Sequence, residues 1–178
     1  VTLVFLNTLI IEGEHFTNAA QDTLFVFAAG NDGMNNDEYP TSPTNINTPN
    51  VVSVAATQGR TSLAVFSNYG EKQVDVAAPG VGIESTVPGN NYLRVSGTSQ
   101  AAPYVANVAA LIKEGNKNLS PRDMKRILME SVDFRTYLRG KVKSKGLVNV
   151  SRAVMAAELS NSMTITKALS RARSTVRD

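Results

Sequence analysis

Four short, nearly all-apolar runs punctuate the first half of the chain: Val1–Ile11, Leu24–Ala29, Val51–Ala56 and Val74–Ala78. None alternates polar with apolar residues. A strand built from such a run has no solvent face and must be covered on both sides, as in a parallel sheet clothed by helices. The first run has no initiator Met and no basic flank, and falls well short of the ~20 residues that span a bilayer. Its β-branched content predicts a buried strand, and a domain opening in the middle of its sheet implies further chain upstream. Between the runs lie a polar stretch at Gly13–Asp22, a Gly-, Asn-, Asp- and Pro-rich loop over residues 30–50, turn formers at Ser67–Gly70 and a break at Pro79–Gly80. Loops as long as residues 30–50 are more often functional than idle.

Helices dominate the second half. Ala101, Ala102, Val105, Ala106, Val108, Ala109, Ala110, Leu111 and Ile112 occupy nearly every direction around a helix over Ser99–Glu114, predicting burial almost all round and a cap at Gly115. Ser120, Pro121 and Asp123 spell a helix start, with Met124, Ile127 and Leu128 on one face. A last helix is expected over Ser151–Leu159, with Val154 and Ala157 inward. Strands followed by helices in a chain of 178 residues predict one α/β unit with a mainly parallel sheet, or a piece of a larger one.

Composition narrows the chemistry. With 42% hydrophobic and 19% charged residues the chain can bury a core. It contains no Cys and one His, His15, which excludes a thiolate metal site, a cysteine nucleophile and a multi-histidine cage; no metal or cofactor is expected. The formal charge of +3 hides an asymmetry: residues 1–112 hold 3 of the 18 Lys and Arg and 9 of the 15 Asp and Glu, a balance of −6, while residues 113–178 carry +9. The basic half has no interleaved aromatics, so it reads as a solvated face and not as a nucleic-acid or membrane surface.

Ser99 opens the alanine-rich helix, where the field of the helix N-terminus and small neighbours suit a nucleophile approached by a substrate backbone. A simple helix cap is the plain alternative. The stretch Gly97-Thr98-Ser99-Gln100-Ala101-Ala102-Pro103-Tyr104-Val105-Ala106 resembles the nucleophile signature of the subtilisin-like serine peptidases, the subtilases, whose pattern runs close to G-T-S-x-A-x-P-x-V-A-G. Tyr104 and Asn107 depart from it, and a buried Asn107 would need a hydrogen-bonding partner. Val26–Gly33 resembles the family's oxyanion segment, Phe66–Gly70 its F-S-N-Y-G turn, Val74–Gly80 its V-x-x-A-A-P-G strand end, and Leu119–Val132 with Gly146–Asn149 its closing segments. All stand in the family's order.

The resemblance implies a three-layer subtilisin-like fold of which this chain is the C-terminal portion, with residues 1–158 belonging to the peptidase domain and 159–178 forming a basic tail. It implies peptide or protein substrates, Ser99 as nucleophile, and Asn31 as oxyanion donor beside the Ser99 N–H. Ala28, Ala29 and Gly30 would wall the pocket for the residue before the scissile bond, with Tyr39, Pro40 and Thr41 at its far end. Small walls admit a bulky apolar group, and Asp32, Asp37 and Glu38 would bias the rim toward basic side chains. Val4–Leu9 is a distant echo of the family strand that pairs with substrate.

One departure bears on the chemistry. The family orders its triad Asp, His, Ser, so both partners of Ser99 belong upstream of Asn31 in D-[ST]-G and H-G-T-H-V-A-G type motifs, and neither motif occurs. His15 lies only 16 residues before Asn31 and reads as a surface histidine. An upstream segment or companion chain carrying Asp and His is therefore expected, with a split enzyme, a fragmentary gene, a pseudoenzyme and a portion of a longer chain all open. A non-catalytic scaffold or interaction subunit is the competing class. The family is mostly exported, which implies a secreted or periplasmic protein.

Overall fold

The computed structural model describes residues 2–177, with side chains described from residue 8 onward. Val1, the start of the expected first strand, lies outside the described residues. The rest of that run is not a strand: Thr2–Ala19 is an 18-residue helix, α1. A short apolar run does not by itself separate strand from helix, and this one continues without a breaker through the helix-compatible stretch after Gly13 to a length no ordinary strand reaches. The echo of a substrate-pairing strand at Val4–Leu9 falls with it, because the backbone there is committed to internal helical bonds.

The remaining elements are β1 (Phe25–Ala28), β2 (Val51–Gln58), β3 (Ser62–Leu63), β4 (Val76–Pro79), β5 (Ile83–Val87), β6 (Asn91–Val95), α2 (Thr98–Gly115), α3 (Pro121–Glu130), β7 (Asp133–Phe134), a 3₁₀ turn (Thr136–Leu138), β8 (Gly146–Leu147), α4 (Val150–Leu159) and α5 (Ile165–Thr175). The main sheet runs β1-β2-β4-β8-β7, with β3 paired to β2. β1, β2, β4 and β8 are parallel neighbours; β3 and β7 pair antiparallel. The mainly parallel α/β sheet expected from the runs is present.

Alternation along the strands divides two cores. Val52, Val54, Ala56, Val76 and Ala78 face α2, α3, α4 and α5, packing with Val105, Ile112, Ile127, Leu128 and Leu169. Ala55, Val74 and Ala77 face the opposite way onto Leu138, Val142 and Leu147. Seven of the eight β2 residues are buried, as a two-sided strand requires. β1 departs from the expectation of two-sided burial: all four of its residues are only half-buried, because among the described residues β2 is its sole strand partner and its other edge is open. Phe16 of α1 meets Phe25 edge-on at 5.6 Å between ring centroids on the face away from α2.

Expected all-round burial of α2 is also corrected. Ala101, Ala102, Val105, Val108, Ala109 and Ile112 are buried against the sheet, but Tyr104, Ala106, Asn107, Ala110 and Leu111 form an exposed outer face. Asn107 thus faces solvent and has no packing debt. Gly115 is the last helical residue and the cap is Asn116, not Gly115: Asn116 takes an extended conformation and its side-chain amide is tied to Ser160 Oγ and Asn118 N–H. In α3 the expected start is realised: Ser120 accepts from Asp123 N–H, and its hydroxyl donates to the Asp123 carboxylate at 2.6 Å. α4 turns Ala153, Ala156 and Ala157 inward, with Val154 half-buried at the margin. Residues 165–175 fold as α5 and send Leu169 and Ala172 into the main core, while Lys167, Arg171 and Arg173 point outward.

Candidate active site

β1 and α2 bring together two segments far apart in sequence. The chain leaves β1 at Ala29 and enters the Gly30–Asp37 loop, while β4 ends beside the start of α2, where Gly97 N–H donates to Gly80 O at 2.8 Å. Asn31 sits at the loop's first bend and Ser99 in the first turn of α2, both exposed. The two are coupled through Thr98. Asn31 Oδ1 accepts from Thr98 N–H at 2.8 Å and from the Thr98 hydroxyl at 3.0 Å. The same hydroxyl oxygen accepts Gly30 N–H at 3.2 Å. With its carbonyl end held twice, the Asn31 amide presents its NH₂ end outward.

Ser99 does not cap the helix. The N-cap is Gly97, which offers no side chain to take up a first-turn amide. Thr98 N–H is spent on Asn31, and Gln100 and Ala101 N–H reach back to Gly97 O. Ser99 N–H has no such partner and lies in the positive field of α2. Pro103, four residues on, has no N–H to complete the regular helical bond to the Ser99 carbonyl.

The loop carrying Asn31 is held by asparagines, not by apolar packing. Asn68, fully buried, accepts Asp32 N–H at 2.9 Å and Met34 N–H at 3.1 Å, and its amide donates to Asn36 Oδ1 at 3.0 Å. Gly30 has φ +111°, and a Cβ there would stand 2.5 Å from Asn68 Nδ2, so both the turn and the close approach require glycine. Buried Asn36 donates to Ala29 O at 2.9 Å, and Thr44 Oγ1 donates to Ala28 O at 2.6 Å. Thr41, beside exposed Tyr39 and Pro40, reaches Asn36 Oδ1 at 3.5 Å, so Asn36 lies between the two stretches named from sequence as pocket walls. Of the three acids near the rim, Asp37 accepts Lys72 and Gln73 N–H, and Glu38 accepts from Asn35; only Asp32 stands clear of such ties. His15 is exposed on α1.

Thr98, Asn36 and Asn68 carry no sequence signal of these contacts, although Thr98 and Asn68 lie inside the family-like stretches and Asn36 in the long loop over residues 30–50. Their bonds bridge up to 68 positions, and only the fold reveals such partners.

A model of the subtilase family, peptidase S8, matches residues 7–162. The chain belongs to the subtilase family. Alkaline elastase YaB of Bacillus sp. (strain YaB) is 45% identical over 101 residues, which is 57% of this chain and 25% of that protein. Subtilisin BL of Lederbergia lenta is 35% identical over 139 residues, 77% of this chain and 46% of the relative. A protease from Pseudoalteromonas arctica PAMC 21717, of solved structure, superposes with a TM-score of 0.70 at 35% identity, covering 81% of this chain and 46% of that one. The fold is therefore that of the subtilisins, in part. This subtilase spans about half the length, or less, of these relatives. Among its described residues no helix is long and apolar enough to cross a membrane.

Proposed function

We propose that this chain is the nucleophile-bearing portion of a subtilisin-type serine endopeptidase. The observation that carries the reading is the pairing of two unspent donors, the outward Asn31 amide and the Ser99 N–H, at the start of α2. Ser99 Oγ adds to the scissile carbonyl; the C–O bond forms, the carbonyl π pair moves onto oxygen, and the hydroxyl proton passes to a base. The two donors take up the charge that develops on that oxygen. Collapse breaks the C–N bond, the leaving amine takes the proton, and water then releases the acyl group from Ser99. Ala28, Ala29 and Gly30, with Tyr39, Pro40 and Thr41, contact the side chain before the scissile bond.

The base and its carboxylate come from an upstream segment or companion chain. The open edge of β1 and the exposed face of α2 offer it a seat, with a groove of about 360 Å³ between them lined by Leu24, Val26, Ala106, Ala110 and Met124. Secretion or periplasmic export goes with this reading. Fluorophosphonate labelling tests it: Ser99 is labelled stoichiometrically when the chain is co-expressed with the polypeptide encoded upstream, and Ser99→Ala abolishes the label. Absence of label in the assembled pair supports instead an inactive scaffold.

A further inference from the structure

We propose that Gln100 supplies a third hydrogen-bonding group to the oxyanion at Ser99, an inference that rests on the reading of Ser99 and Asn31 given above. The observation is the space over Gly97. This residue is buried, yet its backbone is extended, with φ 164°, so any residue could adopt it; conformation is not why it is glycine. A Cβ there would lie 2.8 Å from Gln100 Oε1, 3.6 Å from Asn31 Nδ2 and 3.6 Å from Ser99 N. Three polar atoms from three residues thus converge on one point that a methyl group would fill.

Two of the three are the donors already described. The third belongs to a half-buried residue next to the nucleophile, whose side-chain amide makes no hydrogen bond with any described residue. Nothing fixes which end of it faces the site. In the structure Oε1 is the end of the Gln100 amide that lies against this point. When a substrate oxygen with growing negative charge takes that place, a half-turn about Cγ–Cδ exchanges Oε1 for Nε2, and a third donor faces the charge without any ionisable group entering the site.

The test uses this chain co-expressed with the polypeptide encoded upstream and a chromogenic peptide substrate. Met matches Gln in length and helix propensity but cannot donate. Gln100→Met is expected to lower kcat about tenfold with KM unchanged, less than the ~10²- to 10³-fold attached to a principal oxyanion donor. Gln100→Glu loses more, and its loss relative to the parent deepens as pH rises through the carboxylate range. In an Asn31→Leu background the Gln100→Met effect shrinks, because both act on one oxygen; a packing role would leave the two effects additive. Unchanged kcat in Gln100→Met, or a loss confined to KM, with Ser99 still labelled and Asn31→Leu still impaired, overturns the role of Gln100 and leaves the site's reading intact. A Ser99 that fluorophosphonate fails to label overturns both.

Discussion

Only one of the two polar ends of Asn31 is engaged. Thr98 holds the carbonyl end with two donors, so the amide end is already oriented; in the proposed reaction it would lose little freedom as charge develops. Asn31→Leu in the assembled enzyme should lower kcat by ~10²- to 10³-fold, the cost known for this donor in a subtilisin, with KM nearly unchanged. A loss seen in KM alone would remove the residue from the oxyanion site. Thr98→Val deletes the hydroxyl that bonds both Asn31 and Gly30 but keeps the backbone bond. Leaving Gly30 N–H unpaired should cost ~1–3 kcal/mol by urea denaturation, alongside a smaller kcat loss than Asn31→Leu. At this scale the sequence is informative about family and place: the contiguous signatures around Asn31 and Ser99 mark two segments that the fold brings together. It was silent at Asn36 and Asn68, whose role is to answer backbone groups 7 and 34–36 positions away.

Among the elements, α3 was legible in full because its start is a local matter: Ser120, Pro121 and Asp123 satisfy one another without help from the fold. Ser120→Ala should therefore lower stability by ~1 kcal/mol in chemical denaturation and leave Ser99 labelling untouched. α1 was misassigned because an apolar run carries no period to distinguish helix from strand. Its polar partners, Thr48 to Thr17 Oγ1 and Asn50 to Thr17 O, lie beyond any local window. In the 3₁₀ turn, Tyr137 brings a buried hydroxyl without a hydrogen-bond partner. Its pKa is raised, chiefly by burial, against the opposing charges of Arg135 and Arg60. The unfolded chain then gives up this proton first, from about pH 10, so the folded state loses stability as pH climbs from there toward the raised pKa, and none of it below that range. Tyr137→Phe should be neutral to ~1 kcal/mol stabilising at pH 8, and should flatten the alkaline decline of the melting temperature.

Taken whole, the molecule is finished on one side and open on another. The sheet is packed by α2, α3, α4 and α5 on one face, while β1 keeps a bare edge and α2 shows Tyr104 and Leu111 at 40% and 36% exposure. Strand edges and apolar faces of this kind invite another chain. Purified alone, the chain should hydrolyse no casein, bind a hydrophobic dye and run above monomer mass; an active, well-behaved monomer would return His15 to consideration as the base. The number of strands to one side of β1 was beyond sequence reasoning, since pairing partners are a property of the assembled sheet. The tie between Asn31 and Thr98 reaches across 67 positions and depends on the assembled sheet of β1, β2 and β4 with α2 packed on it. A copy whose sheet has not assembled therefore holds no oriented Asn31 amide.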